Sequence, residues 1–130
     1  MSVKLYQKTA TRTETPRQIE ARAFATVTRG LIEADNLPTT EIGRRAEALS
    51  NNRRLWTIMA SDCAVEGNPL PAALRAQIIS LSLFVDRHSS AVLRHNESMD
   101  ILIDINRSIL EGLSSNPGNP GEPAPQAAAG

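Results

Sequence analysis

After Pro71 no glycine or proline appears for more than twenty residues, while Leu74, Ile78, Leu81, Val85, His88 and Val92 recur at spacings of three and four. That spacing is one face of a helix. Pro71 suits the first helical position, where a missing N–H costs nothing, and Pro69 keeps the residues before it extended. Ile79, Leu83, Phe84 and Leu93 fall off the face, so between Ile78 and Val85 the helix is apolar almost all the way round. Such a helix is either surrounded by other helices or carries a partner-binding patch. Ser80, Ser82, Asp86 and Arg87 interrupt it, whereas a bilayer span needs roughly 20 apolar residues in a row. It is predicted to be the central helix of a small bundle.

A chain of 130 residues is long enough for one core and too short for two ordinary domains. Tyr6, Phe24, Trp56 and Phe84 are its only aromatic residues, so the core must come from Leu, Ile, Val and Ala. Strand-like alternation rich in β-branched residues is absent. The predicted fold is all-α, a single-domain bundle of about four helices over residues 1–113. From Ser114 the sequence SSNPGNPGEPAPQAAAG has no large apolar residue to offset its ordering entropy, so 114–130 is expected to be a disordered tail. One cysteine, Cys63, cannot form an internal disulfide, and the first residues lack the apolar core of a signal peptide. Both point to the cytoplasm.

The remaining helices follow from their stripes and caps. Ser2 to Ala10 gives a short helical pattern with Val3, Tyr6 and Ala10 on one side. Thr15, Pro16 and Gln18 form a capping-box pattern, after which Ile19, Ala23, Val27, Leu31 and Ala34 run at intervals near four until Asn36 and Pro38 end the helix. The next helix is expected to start at Thr39 or Thr40, with Glu41 in its first turn. Its stripe is Ile42, Ala46, Leu49, Asn52, Trp56, Met59 and Cys63. Asn52 within that stripe either fixes helix register as a buried amide or meets a partner's backbone in a groove. Val65, Glu66, Gly67 and Asn68 make the turn into the central helix. The last helix should start at Asn96 or Ser98, with Met99, Leu102, Ile105, Ile109 and Leu113 on one stripe, widened by Ile101 and Ile103, and Gly112 is placed to end it.

Reactive chemistry is hard to find in this sequence. His88 and His95 lie seven apart, but zinc needs further ligands, and neither a Cys-x-x-Cys pair nor a His-Glu-x-x-His motif is present. Glu97, Asp100 and Asp104 read as a solvated helix face, His88 as a packed histidine bonded to a neighbour, and Cys63 as a small core residue. Phosphate-binding glycine loops and a Gly-x-Ser-x-Gly elbow are absent. The expectation is a protein with no enzyme activity, no cofactor and no metal. Fourteen basic residues balance fourteen acidic ones, so no overall charge drives it onto nucleic acid or a membrane. The basic amino-terminal region and the doublets Arg44, Arg45 and Arg53, Arg54 are the alternative, as holders of RNA phosphates, but they lack interleaved aromatics for base stacking. The basic first helix and the acidic last helix would attract each other if adjacent.

Tyr6, Thr15-Pro16-Arg17-Gln18 with Glu20 and Arg22, Ala25 to Leu31, Ala48-Leu49 with Asn52 and Leu55-Trp56, Asn68-Pro69-Leu70-Pro71, Leu74-Arg75, Ile78 to Leu81, Ile105-Asn106 and Gly112-Leu113 follow one another in order. Together they resemble the FlaF family of flagellar biosynthesis regulators. The resemblance implies a small helical cytoplasmic protein that promotes flagellin production after transcription, by binding flagellin before export as a secretion chaperone. It also implies a functional connection with FlbT, the companion regulator of flagellin translation. The position of Phe84 is associated more with tryptophan in this family, and phenylalanine there lacks the N–H donor. An apolar groove suits the amphipathic terminal helices of flagellin. The expected partner-binding residues are Asn52, Leu55, Trp56 and Met59 on one helix and Leu83 and Phe84 on the central one, with Trp56 as core the competing reading.

Overall fold

A computed structural model describes residues 15–115; the short helix expected over Ser2 to Ala10 lies outside the described residues, and of the tail expected over 114–130 only Ser114 and Ser115 are described, where they form the end of the last helix instead of disordered chain. Four helices follow one another: α1 (Pro16–Asp35), α2 (Ile42–Ala64), α3 (Ala72–His95) and α4 (Asp100–Ser115). No strand occurs among the described residues.

Local chemistry sets each boundary. At α1 the capping box is complete: the Thr15 hydroxyl accepts the Gln18 N–H at 3.1 Å, and the Gln18 side-chain oxygen accepts the Thr15 N–H at 2.9 Å. Helix α2 starts later than Thr39 or Thr40. Pro38 opens a turn closed by the Glu41 N–H on the Pro38 carbonyl, which holds both threonines in its middle and leaves Glu41 at the cap position without a side-chain bond. In the turn after α2, Gly67 has φ +91°, a conformation that favours glycine. Asn68 organises the same turn, donating to the Asp62 carbonyl at 3.0 Å and accepting the Leu70 N–H at 2.9 Å. Pro71 is the cap of α3 rather than its first helical residue, since it is extended at ψ 143° while its carbonyl accepts the Arg75 N–H. Asn96 ends α3 in the left-handed conformation that asparagine tolerates.

The start of α4 is capped from another helix. The Asp35 carboxylate, at the end of α1, accepts the Met99 N–H at 3.0 Å and the Ser98 hydroxyl at 3.2 Å, and the Ser98 oxygen accepts the Asp100 N–H. A carboxylate there satisfies an orphan donor and favours the positive end of the helix dipole. Gly112 does not end α4, which runs on to Ser115. A Cβ on Gly112 would lie 3.1 Å from Leu74 Cδ1, close enough that the end of the Leu74 side chain would have to give by a few tenths of an ångström.

These contacts fix an up-down-up-down bundle. The end of α1 meets the starts of α2 and α4, the end of α2 meets the start of α3, and Leu74 of α3 meets Gly112 of α4. Each helix packs on its two sequence neighbours around the ring, α4 closing on α1, and the α3–α4 pair is the least closely packed. The first and last helices are therefore adjacent, but α1 is not basic over its length, since Arg17, Arg22 and Arg29 are matched by Glu20, Glu33 and Asp35. Phe24, Leu31, Leu49, Trp56, Ile78, Val85, Val92, Leu102 and Ile109 are among the side chains that fill the centre.

Candidate partner-binding site

Two polar residues in otherwise apolar stripes meet at the middle of the bundle. Asn106 of α4 is fully buried, and its side-chain oxygen accepts the Trp56 indole N–H at 2.9 Å. Its amide donates to Asn52 Oδ1 at 2.7 Å and to the Thr28 hydroxyl oxygen at 3.1 Å. Thr28 in turn donates to the Phe24 carbonyl, and the Phe24 ring meets the Trp56 ring edge-on with centroids 5.5 Å apart. Three helices are thereby joined by one hydrogen-bonded cluster. Such a cluster specifies register, because a slip along any helix would leave buried donors and acceptors unpaired. The Asn52 side-chain N–H group alone has no partner there.

This geometry divides the six candidate residues. Asn52, Trp56 and Met59 are buried, Trp56 to 1% exposure, and face the interior. They offer no surface to a partner in this structure, and Asn52 takes the buried-amide role. Leu55 is half-buried on the side of α2 facing α1. Phe84 is half-buried and stacked on His88, with ring centroids 5.1 Å apart. Leu83 is 66% exposed. A single groove built from α3 and the neighbouring face of α2 is therefore not formed by these six side chains. Ile79 and Leu83, one helical turn apart, instead make an apolar strip on the outside of α3.

A groove does exist elsewhere. Between α1 and α2 a cavity of about 370 Å³ opens to solvent, lined by Val27, Gly30, Ala48, Asn51, Leu55 and Ile58 among others. Its apolar rim includes Ile58, which is 51% exposed. At the foot of the same two helices Glu20 lies near Asp62, and burial first, then the Asp62 charge, push the Glu20 carboxyl above its ordinary range, with Arg17 opposing. Burial also raises the Cys63 thiol, helped by Glu20, so this cysteine is kept as the neutral, unreactive form.

Several structural residues escaped sequence reading. Arg45 is buried and donates to the Ala34 carbonyl at 3.3 Å and the Glu97 carbonyl at 3.2 Å, tying the end of α1 to the α3–α4 turn. Ile42, expected on the buried stripe, is 63% exposed instead. An arginine in a stripe calculation counts as surface, and only the two carbonyls waiting for it reveal otherwise. Arg53 pairs with Asp86 across α2 and α3. One arginine of each doublet is thus engaged within the bundle, which weakens both doublets as phosphate holders. His88 is half-buried as the stripe implies, but its Nε2 finds no hydrogen-bond partner.

Among the described residues no group of three or more His, Cys, Asp or Glu side chains could hold a metal ion, and no helix is long and apolar enough to cross a membrane. No curated protein and no solved structure matches the chain. The sequence model of one family, described as flagellar protein FlaF, matches residues 2–113. Those residues include the capping box, the Asn52–Trp56–Asn106 cluster and the Asn68 turn, so the features that build this bundle are found within the matched region. The chain belongs to the FlaF family of flagellar proteins.

Proposed function

We propose that this protein promotes flagellin synthesis and export by binding flagellin in the cytoplasm as a secretion chaperone, without catalysing a reaction. The observation that carries this reading is the apolar strip on α3, where Leu83 stands 66% exposed with Ile79 beside it and Phe84 on the next shoulder. A large aliphatic side chain held in water at mid-helix is a contact in waiting when it has apolar neighbours. The amphipathic terminal helices of flagellin would cover it, burying on the chaperone the face that otherwise drives self-association. Membership of a flagellar family supports the choice of partner.

Co-elution of the purified protein with flagellin monomer on a sizing column, at about 0.15 M and about 0.5 M salt, tests the reading. An apolar interface survives both conditions. A complex lost at the higher salt argues for charge contacts, the signature expected of an RNA-binding regulator of flagellin translation. No complex at either salt removes direct chaperoning and leaves an adaptor that acts through FlbT.

A further inference from the structure

The apolar strip on α3 runs further than Ile79 and Leu83. Leu93 is 42% exposed. It returns to within about 40° of the line of Ile79, about 21 Å further along the helix. Asp86 is the one acid of α3, and Arg53 of α2 holds it, donating to one of its oxygens from both Nε and Nη2. One turn to either side of Arg53, Ser50 and Thr57 are exposed and carry no charge. The arginines of α3 divide in two. Arg75 is turned inward and donates to the Cys63 carbonyl at 3.1 Å. Arg87 and Arg94 are exposed and have no ion pair among the described residues. Two turns apart, they share one side of the helix and border the strip on its outer edge. Other acids stand off this edge. Asp100, Asp104 and Glu111 of α4 lie roughly 100° round their helix from Gly112, the residue turned to α3. Glu97 sits in the turn past the end of α3.

We propose, resting on the assignment of the α3 strip as the partner contact, that the segment it takes is an acidic amphipathic helix. Its apolar stripe lies on Ile79, Leu83 and Leu93, and its carboxylates lie beside Arg87 and Arg94. Length suits a helix, since 21 Å is about four turns. Charge decides which helix. A carboxylate on the outer edge gains guanidinium partners, whereas a lysine there meets two like charges, and Asp86 on the other flank is already engaged. The apolar centre supplies the affinity, and the two arginines supply the choice of partner.

The test titrates the full chain into two labelled helical peptides of about four turns, read by fluorescence anisotropy. Both carry one leucine stripe; glutamates flank it in the first and lysines in the second. The glutamate peptide should bind about 10-fold more tightly at about 0.05 M salt, with the preference narrowing towards about 0.5 M. Arg87→Glu with Arg94→Glu should reverse the preference. Arg87→Gln with Arg94→Gln, which places no acid at the end of α3, should make the two peptides bind alike. Leu83→Ser should weaken both. Peptides that bind equally to the unaltered chain, a preference for lysine, no binding of either, or glutamate-peptide binding indifferent to Leu83→Ser would each overturn the proposal. Flagellin separates this proposal from the chaperone reading. If flagellin fails to co-elute while the glutamate peptide keeps its preference, the charge rule stands and the named partner falls. If flagellin binds through Leu83 and is indifferent to Arg87→Glu with Arg94→Glu, the chaperone stands and the charge rule falls.

Discussion

The interior around Trp56 and the outer side of α3 hold large side chains under opposite constraints. At Trp56 an aromatic ring, two asparagines and a threonine from three helices share bonds of 2.7 to 3.1 Å, and all four side chains are buried. On α3, Ile79 and Leu83 touch solvent, and the α3–α4 pair beneath the other shoulder is the least closely packed in the bundle. The first region spends its chemistry on holding one register, and the second keeps apolar surface unused within the fold. Burial separates the two regions: apolar side chains such as Ile78 and Val85 fill the centre of the bundle, whereas Ile79 and Leu83 on the same helix stand outside it.

The largest expected effect lies in the interior. Trp56→Ala should cost about 3 to 5 kcal/mol in denaturant unfolding, from lost burial and the cavity left behind. A loss below about 1 kcal/mol would place Trp56 outside the core and erase the contrast. Next comes the asparagine pair. Asn106→Ala orphans the Trp56 N–H and removes the donor to Asn52 and Thr28, so a loss of about 2 kcal/mol or more is expected. Asn52→Ala should cost less, because its N–H group already lacks a partner and the buried penalty for that group disappears with it. Equal losses would show that the cluster does not centre on Asn106.

The α3–α4 seam should respond in the other direction. Gly112→Ala places a methyl 3.1 Å from Leu74 Cδ1, the movable end of a side chain in a seam with room to adjust. The gain in helix propensity should then win, raising stability by less than about 1 kcal/mol in thermal unfolding. Smaller still is the response of Glu20. Its folded-state pKa is raised, so folding opposes its ionisation: stability is greatest while the group is protonated and declines as pH rises from its ordinary 4.5 through the raised value. Glu20→Gln should flatten that part of the stability curve and leave the region above it slightly more stable than wild type.

Much of this fold can be read along the sequence because helix stripes and caps are local. Thr15, Pro16 and Gln18 announce α1 through bonds spanning three residues, and the face through Ile78, Val85 and Val92 needs only its spacing. Features made by distant residues cannot be read so. Asp35 caps a helix that starts more than sixty residues later, and Arg45 is buried only because carbonyls from Ala34 and Glu97 converge on it. Gly112 looks like a stop signal until Leu74 is seen above it. The candidate site divides on the same principle. Asn52 and Trp56 lie on a buried stripe, and their partner Asn106 is a polar interruption in another stripe fifty-four residues beyond Asn52. Leu83 and Phe84 stand out locally as apolar residues off the helix face, and the outward position of Leu83 agrees with that pattern.

The separation of core from contact is tested most directly by Leu83→Asp, measured for unfolding and for co-elution with flagellin in the same buffer. The account predicts an unfolding free energy within about 0.5 kcal/mol of wild type, because an exposed side chain has little to lose. It predicts loss of the complex, because a carboxylate cannot be buried against an apolar helix face without a partner. A variant that folds normally and still binds flagellin as wild type does would contradict the assignment of the contact to α3.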